Sequence, residues 1–155
     1  MLAAIRSRRG FSLIELVIVV LILGIIAAIA VPRMSRGAKG AQGSSVSSDL
    51  AVLRNAIDLY HTEHGKFAEL LNFSDQLTLF TDDAGKTSAT KGGVYIYGPY
   101  IRAIPSLPVG PDKGATGVGA AAGAAVGWLY NETTGVISAS SGTEADESGK
   151  LYSAY

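Results

Sequence analysis

An apolar run from Phe11 to Val31 constrains this chain more than any other feature, because Glu15 is its single charged residue. A helix over this run is roughly 30 Å long at about 1.5 Å rise per residue, which matches the hydrocarbon thickness of a bilayer. A carboxylate at the bilayer centre costs about 2.5 to 3.5 kcal/mol on insertion scales, and less near an edge. The run is therefore predicted to be a membrane-spanning helix, and an interaction that compensates Glu15 is expected.

A short basic leader precedes the run and ends at Gly10; its cations are Arg6, Arg8 and Arg9. The sequence Phe-Ser-Leu-Ile-Glu-Leu then begins at Phe11. This pattern resembles the precursor signature of type IV pilins and of the pseudopilins of type II secretion systems, most of all a major pseudopilin. In that family a membrane peptidase cleaves after the glycine and methylates the new N-terminus. The resemblance implies cleavage between Gly10 and Phe11, with Glu15 as the fifth mature residue and Pro32 as the twenty-second.

Two interpretations of Glu15 are open. The resemblance implies an assembly role, in which the carboxylate of one subunit neutralises the terminal amine on Phe11 of its neighbour and sets the register between helices. In the alternative, Glu15 lies only about 6 Å along the helix from Phe11 and reaches the cytoplasmic headgroups as an ordinary edge residue.

Charge and cysteine content narrow the class of protein. The leader (residues 1–10) holds three arginines and no acid, so the chain after Gly10 has ten basic and thirteen acidic residues, a balance of −3. No strongly basic face is implied, and nucleic acid is not expected as a partner.

The chain has no cysteine. Many type IV pilins close a C-terminal loop with a disulfide, so its absence favours a pseudopilin or a minimal pilin.

Beyond the apolar run, Pro32 is expected to bend or interrupt the helix, and the Gly- and Ser-rich segment 35–45 is predicted to be a flexible or partly melted connector. An amphipathic helix is predicted over about residues 45–64, with a serine N-cap and a stop at Gly65. Its apolar stripe has helical spacing and consists of Val46, Leu50, Leu53, Ile57 and Tyr60.

Short strands are predicted within about residues 94–155. Val94–Tyr97 and Tyr100–Ile101 are rich in strand formers, and 127–130 with 136–138 read as an antiparallel hairpin around a turn. The Gly- and Ala-rich stretch 110–127 is predicted to be a pliable loop. We expect an α+β fold, in which a long N-terminal helix packs on a small antiparallel sheet with Trp128 as the aromatic anchor of the core.

Two groups of residues are candidates for metal binding. His61, Glu63 and His64 lie close together on the predicted helix, but no further ligand is indicated. The acidic loop 141–149 is the better candidate, because oxygen ligands beside glycines suit calcium. The resemblance points the same way, since the major pseudopilins that this chain resembles order a C-terminal loop with that ion. Its candidate ligands are Glu144, Asp146 and Glu147. A solvated acidic surface is the alternative.

Together with these patterns, the resemblance implies a cleaved leader over residues 1–10, a transmembrane or filament-core helix over 11–32 and a periplasmic head over 33–155. The positive-inside bias is thin, because Arg33, Arg36 and Lys39 follow the run. The resemblance implies a single-pass inner-membrane protein with a cytoplasmic N-terminus and a periplasmic head. It also implies a helical homo-oligomeric fibre, with prepilin peptidase, other pseudopilins and an inner-membrane assembly platform as partners.

Three functions are considered. The first is a structural subunit of a type II secretion pseudopilus, and the second is a type IV pilin subunit for adhesion, motility or DNA uptake. The third, a membrane-tethered periplasmic enzyme or binding domain, is disfavoured because no motif pairs a nucleophile with a base. The chain is predicted not to be an enzyme.

Overall fold

The computed structural model describes residues 10–155, with backbone only at Pro32 and at 34–36. The predicted leader, up to Arg9, lies outside the described residues. The chain divides into two compact units, one that ends at Ala38 and one from Lys39 to Tyr155. Helix α1 (Leu13–His64) begins in the first unit and ends in the second.

The first part of α1 is an exposed apolar helix. Residues Leu13–Val31 have a mean hydropathy of 3.2, and none of them is buried. By length and composition this segment is able to cross a membrane. Helical structure continues through Pro32, so the predicted interruption does not occur there, although proline removes one backbone hydrogen bond. The predicted bend at Pro32 stays a prediction.

The predicted connector at 35–45 is wrong, because this segment is helical and belongs to α1. Low helix propensity is overridden in its second half, where Gly43 is buried and lies against Tyr152 and Tyr155. The serine N-cap predicted near residue 45 is wrong for the same reason, since α1 is already under way there. Ser44 instead donates its hydroxyl hydrogen bond back to the carbonyl of Gly40, at 3.0 Å.

The predicted amphipathic stripe is confirmed. All five of its residues are completely buried: Val46, Leu50, Leu53, Ile57 and Tyr60. The predicted stop is also confirmed, because Gly65 has a φ of +68° and its N–H donates to the carbonyl of His61 at 2.8 Å. Only glycine adopts this left-handed conformation without strain, which ends the helix here.

The remainder of the head contains one short helix and two small sheets. A 3₁₀ turn (Leu70–Asn72) leads into α2 (Phe73–Thr78). Strands β1 (Phe80–Thr81) and β2 (Thr87–Ser88) pair antiparallel. The second sheet has the order β3-β4-β5 and consists of Gly117–Gly119, Val126–Tyr130 and Ile137–Ala139. A second 3₁₀ turn, Tyr152–Ala154, follows.

The predicted hairpin is confirmed as β4 and β5, which pair antiparallel with Trp128 opposite Ala139. The stretch 110–127 is not the plain loop that was expected, because it contains β3, which runs parallel to β4. A Cβ atom on Gly117 would overlap the carbonyl of Ala125, so glycine is what allows these backbones to approach. The sheet is therefore mixed rather than purely antiparallel.

The strands predicted at Val94–Tyr97 and Tyr100–Ile101 do not form. Tyr97 makes one isolated bridge to Thr81, and Tyr95 makes another to Gly92. Glycines with positive φ precede and follow Val94–Tyr97, with values of +59° at Gly93 and +67° at Gly98. These turns stop the pairing after single residues although the side chains favour a strand.

The core lies between the second half of α1 and the mixed sheet. Trp128 is completely buried, and its indole N–H donates to the carbonyl of Pro105 at 2.8 Å. Tyr130 packs against Phe73 and donates its hydroxyl hydrogen bond to the carbonyl of Ala68 at 2.9 Å. The predicted α+β fold and the predicted role of Trp128 are both confirmed.

Candidate functional site

Glu15 lies in the first turn of α1 and caps the helix to which it belongs. Its Oε2 accepts a hydrogen bond from the backbone N–H of Ser12 at 3.0 Å. Ser12 immediately precedes α1, and its carbonyl accepts from the N–H of Leu16 at 3.2 Å. A glutamate three residues after a serine at a helix start is the glutamate half of a capping box. The spacing Ser-x-x-Glu before an apolar run is the signal in the sequence that indicates this cap.

The capping contact leaves Glu15 able to bind a second donor. An ionised carboxylate offers about four lone-pair positions, and the Ser12 N–H uses one of them. The contact also helps to fix the side chain at the start of the helix. The geometry is therefore compatible with a carboxylate that is held ready for a cation supplied by another chain.

The apolar surface that follows Glu15 is exposed along its whole length. Large side chains such as Leu16, Leu21 and Ile26 have between 56 and 63 % of their surface accessible. A surface of this extent is unstable in water, and it marks a membrane or protein contact. Lipid or the helices of other chains must cover it.

Two of the three candidate calcium ligands, Glu144 and Asp146, accept hydrogen bonds from the protein itself. Glu144 accepts a hydrogen bond from the backbone N–H of Gly110. Asp146 Oδ1 accepts from the N–H and hydroxyl of Ser148 at 2.8 and 2.7 Å, and from the N–H of Lys150 at 3.0 Å. Asp146 Oδ2 accepts from the hydroxyl of Tyr155 at 2.6 Å. These hydrogen bonds, that from Tyr155 first, hold the pKa of Asp146 well below its usual range.

Within residues 10–155, no group of three or more His, Asp or Glu side chains is arranged to hold a metal ion. Glu147 is exposed and lies beside Gly40 rather than with the other two acids in a common ligand set. The calcium hypothesis therefore has no assembled set of ligands in this structure. The acidic loop is closed by its own hydrogen bonds instead.

The histidines at the end of α1 have structural contacts. Nδ1 of His64 lies 3.1 Å from the carbonyl of Tyr60, and Nε2 lies 3.1 Å from the carbonyl of Asp82. The His64 ring stacks on Tyr60 with centroids 4.1 Å apart, and His61 stacks on Phe67 at 4.2 Å. These contacts explain both histidines without a metal.

One comparison with known proteins gave a match. The prokaryotic N-terminal methylation motif matches residues 5–31, which include Gly10, Phe11 and Glu15. The chain therefore carries the signature of type IV pilins and pseudopilins, which are structural subunits processed by a prepilin peptidase and assembled into pilus-like fibres. No curated protein and no solved structure matched the chain.

Proposed function

We propose that this chain is a structural subunit of a type II secretion pseudopilus, which assembles through its N-terminal helix into a periplasmic fibre that supports protein export. The observation that carries the proposal is the exposed apolar surface of Leu13–Val31, with Glu15 held at its start and the methylation motif around it. Before assembly this surface lies in the inner membrane, and in the fibre the helices of neighbouring subunits cover it.

Processing creates the positive charge that pairs with Glu15 of a neighbouring subunit. Cleavage between Gly10 and Phe11 removes the leader and leaves a cationic amine on Phe11, at the same end of the helix as the carboxylate. When helices pack side by side, the amine of one subunit and Glu15 of the next neutralise each other in an apolar environment. The pair fixes the axial offset between subunits, because a shift of either helix separates the two charges.

The head supports a pseudopilus more than a disulfide-looped pilin. The chain has no cysteine, and residues 146–155 are tied together by the hydrogen bonds of Asp146 instead. The runner-up is a type IV pilin subunit for adhesion, motility or DNA uptake, which would use the same helix and the same processing. A membrane-tethered enzyme or binding domain is the third candidate, and it gives no reason for the Glu15 arrangement.

The location and partners follow from this proposal. The subunit is a single-pass inner-membrane protein with a cytoplasmic N-terminus and a periplasmic head, until it enters the fibre. Its partners are copies of itself, other pseudopilins, the assembly platform of the inner membrane and the prepilin peptidase.

Two experiments test the proposal. Mass spectrometry of the protein from cells that contain the peptidase should show Phe11 as the N-terminus, with a methyl group, and Gly10→Leu should leave the precursor uncut. A mature protein that starts at Met1 would refute the processing step.

Deletion of the gene then separates the two fibre functions. Accumulation of an export substrate inside the deletion strain, with surface fibres intact, is the result expected for a pseudopilus subunit. Loss of surface fibres with export intact would identify a pilin. A deletion strain that keeps both export and surface fibres but loses a periplasmic activity would favour the third candidate.

A further inference from the structure

The segment Lys39–Ser45 is helical although its composition disfavours a helix. It contains Gly40 and Gly43, and each glycine lowers helix stability about fivefold relative to alanine. Two serines, Ser44 and Ser45, follow and add little helix propensity. Something outside the segment must therefore stabilise its helical state.

Residues 146–155 lie against this segment and make that contact. The hydroxyl of Tyr152, a completely buried residue, donates a hydrogen bond to the carbonyl of Lys39 at 3.3 Å. A Cβ atom on Gly43 would lie 3.1 Å from the hydroxyl oxygen of Tyr155, and one on Gly40 would lie 2.6 Å from Oε1 of Glu147. Both glycines face this stretch, and their lack of a side chain lets it approach.

The contact depends on a few side chains that organise residues 146–155. Asp146 accepts the Tyr155 hydroxyl at 2.6 Å and closes the turn to Lys150, whose Nζ lies 4.2 Å from the centre of the Tyr155 ring. An open groove of about 880 Å³ runs beside the contact. Ser47 and Ala51 of α1 line this groove together with Ser148. Water therefore reaches the Tyr155 side of the contact from the groove, whereas Tyr152 belongs to the buried core.

We infer that residues 146–155 form a strap that holds Lys39–Ser45 in the helical state. When the strap detaches, the segment converts to coil while the buried stripe from Val46 to Tyr60 stays folded. This inference about the strap holds whether the protein is a pseudopilus subunit or a pilin. The strap makes the helical state of Lys39–Ser45 conditional on a contact formed more than a hundred residues away along the chain.

Hydrogen exchange measured by mass spectrometry on the full chain in detergent micelles tests this inference. Tyr155→Ala removes the hydroxyl that closes the strap on its own Asp146 and the ring that lies beside Tyr152 and Lys150. Amides of residues 39–45 should then exchange at least about fivefold faster, which is the effect of the hydrogen bond alone. Amides of residues 50–60 should change by less than about twofold. Tyr95→Ala, at a half-buried tyrosine of the head outside the strap, is the matched control and should leave 39–45 unchanged.

A second variant distinguishes a local effect on residues 39–45 from destabilisation of the whole head by Tyr155→Ala. In the Tyr155→Ala background, Gly43→Ala should restore protection of 39–45 by about fivefold, because alanine favours the helix and the tyrosine no longer crowds it. In the native background the 3.1 Å approach to Tyr155 should make this gain smaller. Equal gains in both backgrounds, or exchange that rises uniformly over 39–60, would overturn the strap.

Discussion

Substitution of Glu15 separates the roles that this carboxylate can have. In the native chain Oε2 of Glu15 lies 3.0 Å from the backbone nitrogen of Ser12. Glu15→Gln keeps an oxygen that can accept this hydrogen bond, because glutamine is as suitable as glutamate in a capping box. It removes the charge only. Glu15→Leu removes both the charge and the capping contact, which costs the helix start about 0.5 to 1 kcal/mol.

The charge effect should be larger than the capping effect. A buried ion pair that loses one partner costs about 3 to 5 kcal/mol, because the remaining charge stays desolvated and unpaired. In the proposed fibre that charge is the amine on Phe11 of the neighbour. Each subunit contact should therefore weaken by at least about a hundredfold in both variants, while insertion into the membrane improves because the helix becomes uncharged.

The assay compares membrane insertion by carbonate extraction with fibre yield by shearing or cross-linking. Both variants should insert at least as well as the native protein, and both should fail to form fibres. Fibres from Glu15→Gln but not from Glu15→Leu would assign the capping box as the essential function. Normal fibres from both variants would refute the reasoning and reduce Glu15 to an edge residue among the headgroups.

Three further predictions concern the head and are tested by melting the full chain in detergent micelles. Tyr130→Phe should lower the free energy of unfolding by about 1 to 3 kcal/mol, because it leaves the buried carbonyl of Ala68 without its hydroxyl donor; an unchanged melting temperature would show that water replaces the donor. The lowered pKa of Asp146 means that its stabilising contribution is present above the usual carboxyl pKa of about 4 and is lost as the pH falls below it, so Asp146→Asn should melt with less dependence on pH in that acid range. Calcium and a chelator should give the same melting temperature, since the acidic loop has no assembled ligand set; a rise that grows with calcium concentration would restore the calcium hypothesis.

Local patterns were sufficient for the features that depend on neighbours along the chain. The apolar run before Pro32, the helical stripe that ends at Tyr60 and the stop at Gly65 were all predicted, as was the hairpin around Trp128. Each is encoded within a few residues, by periodicity or by the conformation that only glycine adopts freely. The capping contact of Glu15 was equally local, and its Ser-x-x-Glu spacing was available in the sequence.

Other features depended on residues that are distant in sequence. The helical state of Lys39–Ser45 requires Tyr152 and Tyr155, which approach only after the head has folded. Strand β3 forms in a Gly- and Ala-rich stretch because β4 supplies its hydrogen bonds, whereas Val94–Tyr97 has the side chains of a strand but only single-residue bridges. The sequence by itself determined the apolar helix that is long enough to cross a membrane, the position of Glu15 at its start and the stop at Gly65. Only the tertiary structure decided which segments adopt a secondary structure that their composition disfavours. Buried contacts and backbone hydrogen bonds outweigh propensities of about 1 kcal/mol per residue.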